Sequence, residues 1–138
     1  MHPFVRKAIR IPEEYKDRII DFAKYPNIND LYYVTDLLIT DYSSNYFEYS
    51  LMQKPVLFFT PDRELYEISR GVHRSVKDSA PGKVCDTFEE MMEAMRNEDF
   101  EVEKLYQFVK DNFANYDGKA TEKVLRNIFG ECAEYEKR

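Results

Sequence analysis

The chain has 138 residues, 43% of them hydrophobic, which is enough to bury roughly two-thirds of its unfolded surface around one core and is not the composition of a disordered segment. Its formal net charge of −6 and the shortness of its basic cluster, Arg6, Lys7 and Arg10, speak against a nucleic-acid binder. No apolar run approaches the roughly 20 residues that span a bilayer, and no signal-peptide core follows Met1, so a soluble, cytoplasmic chain is expected. Cys85 and Cys132 lack histidines at ligand spacing, which predicts two reduced thiols and no metal site.

From Met1 to Pro12 the chain reads as irregular, with Pro3 and Pro12 as breakers. Arg18 to Phe22 is an apolar-leaning run that suits an edge strand, and Asn29-Asp30 suits the start of a brief helix through Val34. Leu37-Leu38-Ile39 and Val56-Leu57-Phe58-Phe59 are continuous apolar runs, the pattern of strands buried on both faces. Tyr42 to Lys54 between them has the length of one crossover helix, which predicts a βαβ unit and a parallel sheet. Thr60-Pro61 reads as an N-cap with proline at the first helical position. Gly71 and Ala80-Pro81-Gly82 mark loops, and Lys83 to Cys85 a last short strand.

Three amphipathic helices follow. Thr87 with Glu90 forms a capping box ahead of a stripe of Phe88, Met91, Met92 and Met95. A second stripe carries Val102, Leu105, Tyr106, Val109 and Phe113. Asp117-Gly118 breaks it, and a third carries Val124, Leu125 and Ile128. All three are expected to pack as core or domain-packing faces, not to lie on a membrane.

Chemistry concentrates in Thr40-Asp41-Tyr42-Ser43-Ser44-Asn45, where a buried strand gives way to a helix. Ligands of open parallel sheets bind at the carboxyl ends of strands. A first helical turn offers unpaired N–H groups and the positive end of a dipole, and the small neutral serines let an anion come close. A plain helix cap by Ser43 or Ser44 is the simpler reading, and both stay open. Neither a G-x-G-x-x-G nor a Walker A loop is present, which argues against a dehydrogenase or an ATPase. Ser43 lacks the glycines of a hydrolase nucleophile elbow. His73, between Arg70 and Arg74, reads as an exposed loop residue.

The run from Asn29 to Ser44, with Phe47-Glu48-Tyr49, Lys54 to Phe59, Arg70-Gly71, Ala80-Pro81-Gly82 and Tyr116 to Thr121, resembles the CDP-glycerol glycerophosphotransferases, the family of teichoic acid primases and polymerases. The resemblance covers residues 1 to about 129. It implies an α/β fold: a Rossmann-like, three-layer parallel sheet like the C-terminal nucleotide-binding domain of GT-B glycosyltransferases. Residues 1–138 would be a single domain, truncated at its N-terminus, with the N-terminal acceptor domain absent and Met1 the start of a truncated gene or a cut piece.

By resemblance, such an enzyme moves glycerol phosphate, or ribitol phosphate in close relatives, from a CDP-alditol to a hydroxyl of a lipid-linked polymer, without metal or cofactor. Substrate contacts would come from Thr40, Asp41, Ser43, Ser44, Glu48 and Arg70, with the serines on the donor pyrophosphate. His2, in a His-Pro pair, would be the catalytic proton carrier or charge stabiliser, a task suited to its unperturbed pKa of about 6.5. Glu48 stands where relatives often carry Asp. The whole enzyme would be peripheral at the inner face of the cell membrane, and the chain by itself inactive. The rival readings are a GT-B sugar transferase for another nucleotide-sugar and a non-catalytic nucleotide-binding module.

Overall fold

The computed structural model describes residues 10–130. Its backbone divides into two compact units, Met1–Asp36 and Leu37–Arg138.

In the first unit a single 3-10 turn, Glu13–Tyr15, precedes helix α1, Ile28–Val34. The helix begins two residues earlier than Asn29-Asp30 suggests, because Asn27 is the cap: its side chain accepts from the Asn29 N–H at 3.2 Å. At the other end the Thr35 hydroxyl donates to the Leu31 carbonyl at 2.7 Å. The edge strand expected at Arg18 to Phe22 does not form. The Ile19 N–H is taken by the Tyr15 carbonyl, the Asp21 carboxylate takes the Ala23 N–H, and the Tyr25 N–H returns to the Phe22 carbonyl. Local bonds of this kind compete directly with a strand ladder.

The second unit is built on a parallel sheet in the order β1-β2-β3: Leu38–Thr40, Val56–Phe59 and Lys83–Cys85. Leu38 pairs with Val56 and Thr40 with Phe58, while Leu57 pairs with Lys83 and Phe59 with Cys85. Helix α2, Asn45–Ser50, crosses from β1 to β2, and helices α3, Arg63–Arg70, and α4, Val76–Ser79, lead from β2 to β3. Helices α5, Phe88–Asn97, α6, Val102–Phe113, and α7, Ala120–Phe129, complete the unit.

Strand alternation divides the core into two layers. On one face Leu57 joins Cys85 and Ala94, with Leu37, Met91 and Phe100 packed around them, so α5 covers this side. On the other face Phe58 meets Tyr46 edge-on at 5.2 Å, and Phe47 meets Phe108 at 5.1 Å, so α2 and α6 cover it. Burying each such aromatic pair stabilises the fold by about 0.5–1.5 kcal/mol beyond its area term. Burial also pushes the Cys85 thiol pKa up and keeps it a thiol.

Two helix readings need correction. Thr60 does not cap α3: it is 1% exposed and its hydroxyl reaches Asp86 Oδ1 at 3.4 Å, so the helix starts at Arg63. The stripe on α7 is not core, because Val124 and Ile128 are 53% and 66% exposed among the described residues, so only the domain-packing half of the expectation stands for it. On α5, Ala94 and Met91 face inward and Phe88 stays 57% exposed. Gly82 has a steric reason to be glycine: a Cβ there would fall 2.0 Å from the Val56 carbonyl oxygen.

Candidate functional site at the carboxyl ends of the strands

The three parallel strands end on one edge of the sheet, and each runs into threonine or aspartate: Thr40-Asp41, Thr60-Pro61-Asp62 and Asp86-Thr87. At the end of β3 the guanidinium of Arg63 grips Asp86 with two bonds, 3.1 Å from Nε to Oδ1 and 2.7 Å from Nη2 to Oδ2. That bond, above all, holds the Asp86 carboxyl below the usual carboxylate range. Glu90 closes the capping box with Thr87 and also accepts from the Asp86 N–H at 2.8 Å.

The loop from β1 to α2 is tied by its own side chains. Thr40, 9% exposed, donates its hydroxyl proton to Asn45 Oδ1 at 3.0 Å. The Asp41 carboxylate accepts from the Ser43 N–H at 3.1 Å, and Ser43 Oγ accepts from the Asn45 N–H at 3.4 Å. In accepting, Ser43 keeps its own proton available to donate. Ser44 occupies the N-cap position of α2 without making a side-chain cap bond, and both serines are exposed. The capping reading therefore fails for Ser44 and holds for Ser43, whose Oγ takes the first N–H of α2. The six-residue α2 also has little dipole to offer, so the hydroxyls matter more here than the helix end.

Tyr42 leaves this loop in the opposite sense. Its ring stacks on Tyr66 of α3 at 3.7 Å between centroids and 7° between planes. Its hydroxyl donates to Asp62 Oδ1 at 2.8 Å. Burial first, and the Asp62 carboxylate second, push the phenol pKa well up, so it stays neutral. Asp62 precedes α3 as its N-cap residue, and Tyr66 and Arg70, four residues apart, share one stripe of the helix.

Of the residues singled out in the sequence, Thr40, Asp41, Ser43 and Ser44 come together in one loop, with Thr40 turned to support it. Glu48 is exposed on the first turn of α2. Arg70 ends α3, exposed, one turn beyond Tyr66, and makes no ion pair among the described residues. His2 lies outside the described residues, and His73 is exposed in a loop. Sequence reading includes Tyr42 and Asn45 in the informative stretch but gives them no role, and it passes over Asp62, Tyr66 and the Arg63–Asp86 pair. The available signal was the threonine or aspartate after each apolar run, which marks three strand ends on one edge. Among the described residues no cluster of His, Cys, Asp and Glu could hold a metal ion, and no helix is long and apolar enough to cross a membrane.

Residues 1–130 match the family model described as CDP-Glycerol:Poly(glycerophosphate) glycerophosphotransferase. The chain belongs to this family. Within it, the chain is 38% identical to the teichoic acid ribitol-phosphate polymerase TarL of Staphylococcus aureus over 94% of its own length and 23% of that protein's. It is 41% identical to the teichoic acid poly(ribitol-phosphate) polymerase of Bacillus spizizenii, over 93% of this chain and 21% of that one. Against the teichoic acid poly(glycerol phosphate) polymerase of Bacillus subtilis the figure is 38%, over 79% and 15%. The chain thus spans about a quarter or less of these relatives. The solved structure of the wall teichoic acid polymerase TagF superposes with a TM-score of 0.66 at 27% identity, over 84% of this chain and 30% of that one. The parallel sheet flanked by helices is accordingly the GT-B-like, nucleotide-binding type of fold seen in the glycerophosphotransferase family.

Proposed function

We propose that this chain is the donor-nucleotide-binding portion of a GT-B-like transferase that moves a polyol phosphate from a CDP-alditol to a hydroxyl of a teichoic-acid-like or capsular polymer. The observation that carries the reading is the exposed Ser43–Ser44 pair, in a pre-tied loop at the carboxyl end of β1, in a glycerophosphotransferase chain. Ribitol phosphate is the favoured cargo, because relatives at 38% and 41% identity are named for ribitol phosphate. Glycerol phosphate is the second reading, supported by the family description and by the 38% identical glycerol phosphate polymerase.

In this reading Ser43 and Ser44 donate to the pyrophosphate, where hydrogen bonds to charged oxygens are the strong ones. Asp41 and Thr40 keep the loop in shape, Arg70 offers a cation, and Glu48 reaches the ribose or the loop. His2 carries the proton or steadies the charge. The acceptor oxygen forms a bond to the donor's β-phosphorus, the bond to CMP breaks, and the acceptor proton passes to a base. Positioning and fixed charge supply most of the rate enhancement. A lipid-linked acceptor would keep the complete enzyme peripheral at the inner membrane face.

The test is a titration of the labelled chain with CDP-ribitol, CDP-glycerol, CMP and UDP-glucose, following backbone amides. Cytidine-selective shifts between Thr40 and Phe47 are expected, and Ser43→Ala or Ser44→Ala should each weaken CDP-alditol binding by about tenfold. Equal shifts with UDP-glucose would replace this reading by that of a sugar transferase.

A further inference from the structure

The hydrogen bonds inside the β1–α2 loop reach two to five residues along the chain, whereas the Tyr42–Asp62 bond reaches 20. Local ties set the loop's shape but not its place beside α3. Tyr42 adds that second fixture twice over, by ring stacking on Tyr66 and by its hydroxyl on Asp62. Asp62 is the N-cap residue of α3, and Tyr66 lies on that helix four residues before Arg70. The two exposed serines and the exposed arginine are thereby referred to one rigid element.

The Tyr42 proton occupies one oxygen of the Asp62 carboxylate and leaves its charge in place. The phenol itself stays neutral and adds no repulsion.

We propose that Tyr42 is a positioning residue for the donor site: through Tyr66 and Asp62 it holds the Ser43–Ser44 loop against α3, so that the serine hydroxyls and Arg70 meet the same diphosphate. The role rests on the donor-binding reading above. It concerns the diphosphate and not the base, so its loss weakens CDP more than CMP.

The test compares Tyr42→Phe, which keeps the stack, with Tyr42→Leu, Asp62→Ala, Asp62→Asn and the Tyr42→Phe/Asp62→Ala double variant. Asp62 makes no side-chain cap bond to α3, so Asp62→Ala removes no cap. CDP affinity is expected to fall about threefold to tenfold in Tyr42→Phe and in Asp62→Ala, the span of a typical net hydrogen bond. The double variant should be no worse than either single one, Asp62→Asn, which keeps the acceptor and removes the charge, should bind CDP at least as well as the parent, and CMP affinity should change less. Without ligand, amide hydrogen exchange at Ser43, Ser44 and Asn45 should speed up in Tyr42→Phe and more in Tyr42→Leu, while Leu57 and Phe58 stay protected. Unchanged exchange at those three amides in both Tyr42 variants, or fully additive losses in the double variant, overturns the proposal. A parent chain that binds no CDP removes the donor site and the positioning role with it; exchange then shows separately whether Tyr42 fastens the loop.

Discussion

Asp86 joins the ends of β2 and β3, through Thr60 on one strand's end and through the Arg63 guanidinium at the start of α3. Because the folded protein lowers the Asp86 pKa, the ion pair stabilises the fold above the unfolded value of about 3.9. That contribution fades as pH falls through the lower folded value, where the carboxyl takes up its proton. Asp86→Asn should therefore lower the urea midpoint at about pH 7 and leave it close to the parent's near pH 2. Urea melts at the two pH values check this, and an equal deficit at both would point to lost packing instead of lost charge. The carboxylate is half-exposed, so the effect at neutral pH is modest.

At the scale of elements, helix α5 shows most clearly how local chemistry sets a boundary. Thr87 accepts from the Glu90 N–H at 3.2 Å, and the Glu90 carboxylate takes the Thr87 N–H at 3.1 Å. Thr87→Ala should cost about 1 kcal/mol, read as a lower thermal midpoint with the sheet unchanged. Such features span three or four residues and are visible in a sequence, as are the apolar runs of β1 and β2. The failures share a different cause. Arg18 to Phe22 has the residues of a strand, but the N–H groups of Arg18 and Ile19, the Phe22 carbonyl and the Asp21 carboxylate are used in local turns. Thr60-Pro61 has the residues of a cap, but the hydroxyl is drawn to Asp86, 26 positions away. Within the candidate site the serines could be picked out from their place after a strand. Tyr42 could not, because its partners are set by the packing of α3 and not by spacing along the chain.

For the whole molecule, the family relation and the short span have to be read together. The chain matches the glycerophosphotransferase model over residues 1–130 yet covers 23% of TarL and 30% of the TagF structure. A reaction between a bound donor and a polymer hydroxyl needs a base and an acceptor surface as well as the diphosphate site. His2, the proposed proton carrier, lies outside the described residues, and the other histidine, His73, is exposed in a loop. Because the chain spans a quarter or less of those relatives, we propose that by itself it releases no CMP from CDP-ribitol above the uncatalysed rate in the presence of acceptor, even where it binds the nucleotide. Measurable CMP release, lost in Ser43→Ala, would assign the complete reaction to these residues.

The stacked pair of Tyr42 and Tyr66 also makes the chain report on itself optically. With no tryptophan in its sequence, its emission is that of its tyrosines. A phenol hydrogen-bonded to a carboxylate and stacked on a second ring should be quenched, so freeing the β1–α2 loop from α3 should brighten Tyr42. Tyr42 is one of eleven tyrosines, so its share of the emission is read as the difference between the parent and Tyr42→Phe.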